Sequence, residues 1–181
     1  AFFSRAFDQI RMAQYSKPNL KITGSHVGVS IGSDGPSQMG LEDIAMMRSI
    51  LDSVVLYPSD AVSAYKLTVA LYHHEGISYL RTTREKTPIL YDAKEQFSIG
   101  GSKIIRQGKK DTIAIITAGI TVHEALKAHE ELKKQNISIT VVDLYSIKPI
   151  DEKTLNELAK TIKHYIVVED HYPYGGIGEA V

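Results

Sequence analysis

The chain has 181 residues, with 21 basic and 21 acidic side chains. That length suits one large domain or two small ones with an adequate core, and the balanced charge recommends neither nucleic acid nor a membrane surface as a partner. There is no cysteine, which excludes a disulfide framework and fits a reducing cytosol, and no run is apolar enough to span a bilayer. A soluble protein that meets a small molecule or another protein is expected.

Residues 1–15 read as an amphipathic helix, with Phe3, Phe7, Ile10 and Tyr15 on one face and Arg5, Asp8 and Arg11 off it. Phe2 falls outside that stripe and calls for a contact of its own. Residues 20–23 form the first expected strand. A helix is expected from about Leu41, and a strand follows at 54–57. The Pro58, Ser59, Asp60 run stops that strand and offers a cap for a helix reaching about His74. Gly76 breaks the helix, and 77–81 reads as the next strand. Strand and helix in alternation imply parallel sheets, with ligands at the carboxyl ends of strands. The loop after Thr23 and the Arg81, Thr82, Thr83, Arg84 segment both fall at such ends.

Residues from about 87 to 107 read as a linker holding the domain boundary, with a strand near 102–106. A second series then begins. Residues 112–117 form a buried strand, Thr121 to Glu124 has the form of a capping box, and Val122, Ala125, Leu126, His129 and Leu132 mark one helical face. Another strand is expected at 137–142, an Asp151-capped helix carries Leu155, Leu158, Ala159 and Ile162, and 165–168 closes the series. The expected fold is α/β: two three-layer domains, 1–95 and 96–181, with mostly parallel sheets and helices on both faces. Ala1 is expected within a helix already under way, and the last residues at the start of another, so a larger chain is expected.

Residues 25–38 form the stretch that the first domain supports. A connection from strand to helix is usually a few residues long, whereas this one carries Gly28, Gly32, Gly35 and Pro36 among polar side chains. Long ordered loops persist mainly where they bind something. His26, Asp34 and Gln38 can converge on one pocket as an imidazole, a carboxylate and an amide, suiting a hydroxylated, charged small molecule. An Ω-loop whose polar groups satisfy its own backbone remains the alternative reading.

The wording of residues 32–48, GSDGPSQMGLEDIAMMR, with His26 eight residues before Asp34, closely resembles the second signature of transketolases. The ending EDHYPYGGIGEAV is similar to the carboxyl-terminal domain of the same family. The resemblance covers the later part of a pyrimidine-binding domain and most of a carboxyl-terminal domain. It implies thiamine diphosphate as cofactor and the transfer of a two-carbon ketol unit from a ketose phosphate to an aldose phosphate, in the pentose phosphate pathway. Phe2 matches the aromatic that packs on the cofactor's aminopyrimidine, and Gln38 a position beside the cofactor. His26 and Arg84 match the pair that receives the sugar phosphate, and Asp34 the carboxylate facing a substrate hydroxyl. With Arg84 taken for that role, Arg81 is expected on the strand. Together, positions 26, 34 and 84 are expected to face one cavity.

The resemblance also implies a cytoplasmic homodimer and a divalent metal, Mg2+ or Ca2+, whose ligands lie in a domain outside this sequence. The glutamate that activates the cofactor would lie upstream of Ala1, so this stretch by itself is expected to be inactive and to hold no catalytic residue of its own. Two alternatives stay open: a 1-deoxy-D-xylulose-5-phosphate synthase, or a non-catalytic subunit of a split thiamine-diphosphate enzyme. The other histidines read as structural. His73 and His74 are adjacent and complete no zinc pattern.

Overall fold

The computed structural model describes residues 2–181; the expected helical start at Ala1 lies outside them. The first helix, α1 (Phe2–Ser16), buries Ile10 and lays Phe3, Ala6, Phe7 and Ala13 on the core. Tyr15, expected on the same face, stays exposed because the packed stripe ends two residues earlier, at Ala13. Then come β1 (Lys21–Gly24), the glycine-rich loop, α2 (Asp43–Arg48), β2 (Val54–Leu56), α3 (Ala61–His73) and β3 (Ser78–Arg81). Residues 82–102 run without helix or strand. The second series is β4 (Lys103–Arg106), β5 (Ile113–Thr117), α4 (Thr121–Lys134), β6 (Thr140–Asp143), β7 (Ser146–Lys148), α5 (Glu152–Leu158), β8 (His164–Val168) and α6 (Ile177–Ala180).

Two four-stranded sheets result, ordered β1-β3-β2-β7 and β4-β6-β5-β8. Each holds three parallel strands and one antiparallel edge strand: β7 on β2 in the first, β4 on β6 in the second. This is the expected α/β class. The period of two along each strand distributes the core. Val55 and Tyr79 of the first sheet and Ala114, Ile116 and Val142 of the second point into one shared interior, closed by α1, α2 and α5. Val54, Leu56 and Leu80 point the other way, under Leu67 and Leu71 of α3, while Ile115 and Val141 pack with Ala125 of α4.

Strand β7 is not foreseen from its three residues. It comes from the later half of the chain yet completes the first sheet, with Tyr57 N–H donating to Tyr145 O at 2.7 Å just past the pairing. The expected capping box at Thr121 does not form, because the Thr121 hydroxyl donates to Ala118 O at 2.8 Å and so satisfies the turn before the helix. Asp60 and Asp151 do cap α3 and α5, accepting from the backbone of Ser63 at 2.7 Å and Thr154 at 3.0 Å. Among the described residues no helix is long and apolar enough to cross a membrane.

Candidate functional site

Strands β1 and β3 lie side by side and parallel, with Gly24 opposite Arg81, so the segments leaving their carboxyl ends begin as neighbours. Thr82 N–H donates to Gly24 O at 2.7 Å, and Val27 N–H to Thr82 O at 3.4 Å. His26, between them, holds φ of 63°, a left-handed conformation that costs a non-glycine residue free energy and collects at functional sites. The loop closes where Gly28 N–H meets Gly40 O at 2.8 Å. Two single 3-10 turns, Gly32–Asp34 and Pro36–Gln38, fold its far end, joined by Gly35 at φ of 84°. The chain then enters α2.

A cavity of about 260 Å³ opens between this loop, α1 and α2, and its walls include Phe2, His26, Gln38, Asp43, Met46 and Tyr79. Phe2 is 76% exposed at the rim and meets Phe3 edge-on, which in turn meets Tyr79 edge-on, with ring centroids 5.8 and 6.0 Å apart. His26 Nδ1 lies 3.0 Å from Ser25 Oγ. Gly24 carries no side chain where the Tyr79 ring presses on the strand; a Cβ there would overlap the phenol.

Three of the candidate residues, Phe2, His26 and Gln38, thus share one cavity. Asp34 and Arg84 are placed otherwise. Arg84 Nη1 donates to Asp34 Oδ2 at 2.6 Å, both side chains about half exposed, and the pair is not in the cavity wall. The expectation that positions 26, 34 and 84 face one cavity is therefore corrected: His26 lines the cavity, while Asp34, at the end of the first 3-10 turn, pairs with the Arg84 guanidinium outside its wall. A larger hollow of about 390 Å³, between Pro58, Ala64, Thr82 and Ile120, contains none of the five candidates.

Beneath the cavity lies a buried charge cluster whose reach the residue pattern does not reveal. Arg81 is on β3, as expected, and fully buried. It donates to Asp43 Oδ2 at 2.8 Å, Asp170 Oδ1 at 2.7 Å, Asp170 O at 3.0 Å and Gly40 O at 3.1 Å, with its guanidinium carbon 4.4 Å from the Tyr57 ring centroid. Tyr79 OH donates to Asp43 at 2.7 Å, and Tyr57 OH to Asp170 at 3.1 Å. Burial opposes the Arg81 charge, but Asp43, Tyr57 and Asp170 outweigh it and hold the guanidinium protonated. Burial, and then the Asp43 carboxylate, push the Tyr79 phenol well above its ordinary value. One cation faces two carboxylates, so the phenol hydrogens are needed to satisfy the surplus.

His171, in the terminal motif, has a structural task. Its Nδ1–H donates to Tyr172 O at 2.6 Å, leaving Nε2 to accept from Ala45 N–H at 3.3 Å at the start of α2. Among the described residues no group of three or more histidine, aspartate or glutamate side chains is arranged to hold a metal ion.

Comparison with known proteins places this geometry. The model of the transketolase pyrimidine-binding domain matches residues 1–89, and that of the transketolase C-terminal domain matches residues 100–181. Over its full length the chain is 52% identical to mouse (Mus musculus) transketolase and 51% identical to human (Homo sapiens) transketolase, covering 29% of each. It therefore spans about three-tenths of the length of the curated relatives it matches. A solved split-gene transketolase, described as an inactive beta4 tetramer, superposes with a TM-score of 0.89 at 32% identity, over 99% of this chain and 58% of that one. A Pichia stipitis transketolase complexed with sedoheptulose 7-phosphate shares the fold, with a TM-score of 0.80 at 24% identity over 96% of this chain and 26% of that one. Two family models that together account for nearly every residue, on a fold of the same design, establish that the chain belongs to the transketolase family.

Proposed function

We propose that the whole protein is a thiamine-diphosphate-dependent transketolase, which moves a two-carbon ketol unit from a ketose phosphate to an aldose phosphate in the pentose phosphate pathway. It works in the cytoplasm as a homodimer. This chain supplies residues 1–95 as the later part of the pyrimidine-binding domain and 96–181 as most of the C-terminal domain. The 181 residues alone do not turn over, because the diphosphate and a Mg2+ or Ca2+ ion are held by a domain outside them.

The observation that carries this reading is the meeting of Phe2, His26 and Gln38 in one cavity at the carboxyl ends of β1 and β3. An aminopyrimidine suits those walls: an exposed aromatic face at the rim, an amide on one side, and Met46 and Phe3 as apolar backing. When bound, thiamine diphosphate supplies the carbon acid that accepts and releases the two-carbon unit. The chain's own residues bind and orient. Phe2 stacks on the pyrimidine, and the Gln38 amide positions it without titrating.

His26 in the cavity and Arg84 outside its wall receive the sugar phosphate, while Asp34 accepts from a substrate hydroxyl. Arg84 has donors to spare beyond the one given to Asp34, and each charge-assisted bond to phosphate contributes on the order of 1.5–3 kcal/mol. The test is Arg84→Ala in the full-length enzyme. KM for phosphorylated sugars is expected to rise at least about tenfold, with KM for unphosphorylated ketoses nearly unchanged. Equal rises for both would remove Arg84 from phosphate recognition.

A second reading is favoured by the split-gene neighbour, which matches 99% of this chain: a separate polypeptide that completes its site only with a partner subunit. The length of the reading frame discriminates. Several hundred codons preceding Ala1 in the same frame reject the second reading.

A further inference from the structure

We propose that Arg81 is a positioning residue through which the second half of the chain sets the shape, and hence the cofactor affinity, of the cavity in the first. The inference rests on the cavity being the aminopyrimidine site. Arg81 is not itself a wall of the cavity, but two of the groups it holds, Asp43 and Gly40, are. Its Nε and Nη2 take both oxygens of Asp43, at 2.8 and 3.3 Å, and Asp43 is a wall residue and the first residue of α2. Its Nη2 also reaches Gly40 O, at the point where the glycine-rich loop is closed by Gly28 N–H.

The opposing anchor is Asp170, which gives both a carboxylate oxygen and its carbonyl to the same guanidinium. Beyond it, the terminal segment is strapped over α2. Tyr172 N–H donates to Leu41 O at 2.9 Å, His171 Nε2 accepts from Ala45 N–H, and Arg48 donates to Gly175 O and Gly176 O at 2.6 and 2.8 Å. A planar fork fixed on four sides transmits displacement, because rotating it to follow Asp170 drags Asp43 and Gly40 with it. A lysine at 81 would keep the charge and lose the fork.

The experiment uses the full-length protein with Asp170→Asn, and with Val141→Ala as a control that thins the second domain's buried core on the far face of its sheet. Two readouts are taken below the melting range of each variant. The first is the dissociation constant for thiamine diphosphate with Mg2+. The second is amide hydrogen exchange at residues 38–46, which needs no cofactor. Asp170→Asn is expected to weaken thiamine diphosphate by about tenfold and to accelerate exchange at 38–46. Val141→Ala is expected to lower the melting temperature with neither effect.

If both variants move the two readouts equally, or neither variant moves them, the positioning role is overturned. A parent protein that binds no thiamine diphosphate overturns the cofactor reading, while the exchange result still decides whether Arg81 transmits. Should Asp170→Asn not fold, Tyr57→Phe removes the hydroxyl that donates to Asp170, together with its long bond from Ile120 N–H at 3.5 Å. It is expected to shift both readouts in the same direction by a smaller factor; no shift at all overturns the proposal.

Discussion

Gly28 illustrates how much one missing side chain can carry. Its φ of 70° lies where side-chain-bearing residues are strained, and a Cβ would overlap Asp170 Oδ2, the oxygen that accepts from Tyr57. Gly32, four residues on, has φ of 62° but nothing within 4 Å of a Cβ. The two positions therefore separate backbone strain from steric conflict. Gly32→Ala is expected to cost about 1 kcal/mol, the backbone part alone. Gly28→Ala should cost at least twice that, because the buried Asp170 carboxylate must move and loosen its bond to Arg81. Denaturant melts of the two variants check this, and equal costs would mean that the loop yields without disturbing the cluster. The glycines themselves mark the loop in the sequence, as do His26 and Gln38. The reason Gly28 must be glycine is not legible there, since Asp170 lies near the opposite end of the chain and no local spacing announces the meeting. The same holds for Arg81: its strand is readable, but its partners are not.

Among elements, α3 depends most visibly on one residue. Asp60 Oδ1 accepts from Ser63 N–H at 2.7 Å while Asp60 N–H donates to Ser63 Oγ at 3.0 Å, a reciprocal cap. Its other oxygen accepts from the backbone of Leu90 and Tyr91 at 2.8 and 3.0 Å, so the cap also pins the irregular linker to the helix. Burial opposes the charge here, but the bonds from Ser63, Tyr91 and Leu90 outweigh it and hold the carboxyl below its ordinary range. Asp60→Ala is expected to lose about 1–2 kcal/mol for the cap and about 1–3 kcal/mol more for the orphaned linker amides. Trypsin should then cut faster at Lys86 or Lys94, which flank the freed segment; unchanged cleavage would show that the linker is held elsewhere. This cap is legible from Pro58, Ser59 and Asp60 because N-cap chemistry is local. Strand β7 is not, because three residues carry almost no periodicity and its pairing with β2 is decided by the fold as a whole.

Across the molecule, the two sheets are tied together by a carboxyl that is costly to ionise. Asp143, at the end of β6, is fully buried and accepts from the Ser59 hydroxyl after β2 and from Tyr91 OH of the linker at 2.7 Å. Its Oδ1 has no hydrogen-bond partner. Burial raises its pKa from 3.8 to about 7, with the Asp60 charge adding to the rise and the bonds from Ser59 and Tyr91 opposing it. Below pH about 4 the carboxyl is protonated in both folded and unfolded chains and contributes no pH dependence. Between about 4 and 7 the unfolded chain releases the proton and the folded chain keeps it, so the folded state binds more protons and stability falls as pH rises. The loss is complete above about 7 and is bounded on the order of 4 kcal/mol. Depressed carboxyls such as Asp60, Asp111 and Asp151 act below that window, losing their contribution as pH falls through and beneath their unfolded values. His74 opposes Asp143 within it, since burial and then Lys21 lower its pKa and favour the folded state as pH rises. Asp143→Asn isolates the carboxyl, because an amide of the same shape stays neutral at every pH. The parent-minus-variant difference in unfolding free energy should become more unfavourable to the parent between pH 4 and 7 and then level off. A flat difference across that range would mean that Asp143 ionises freely where it sits.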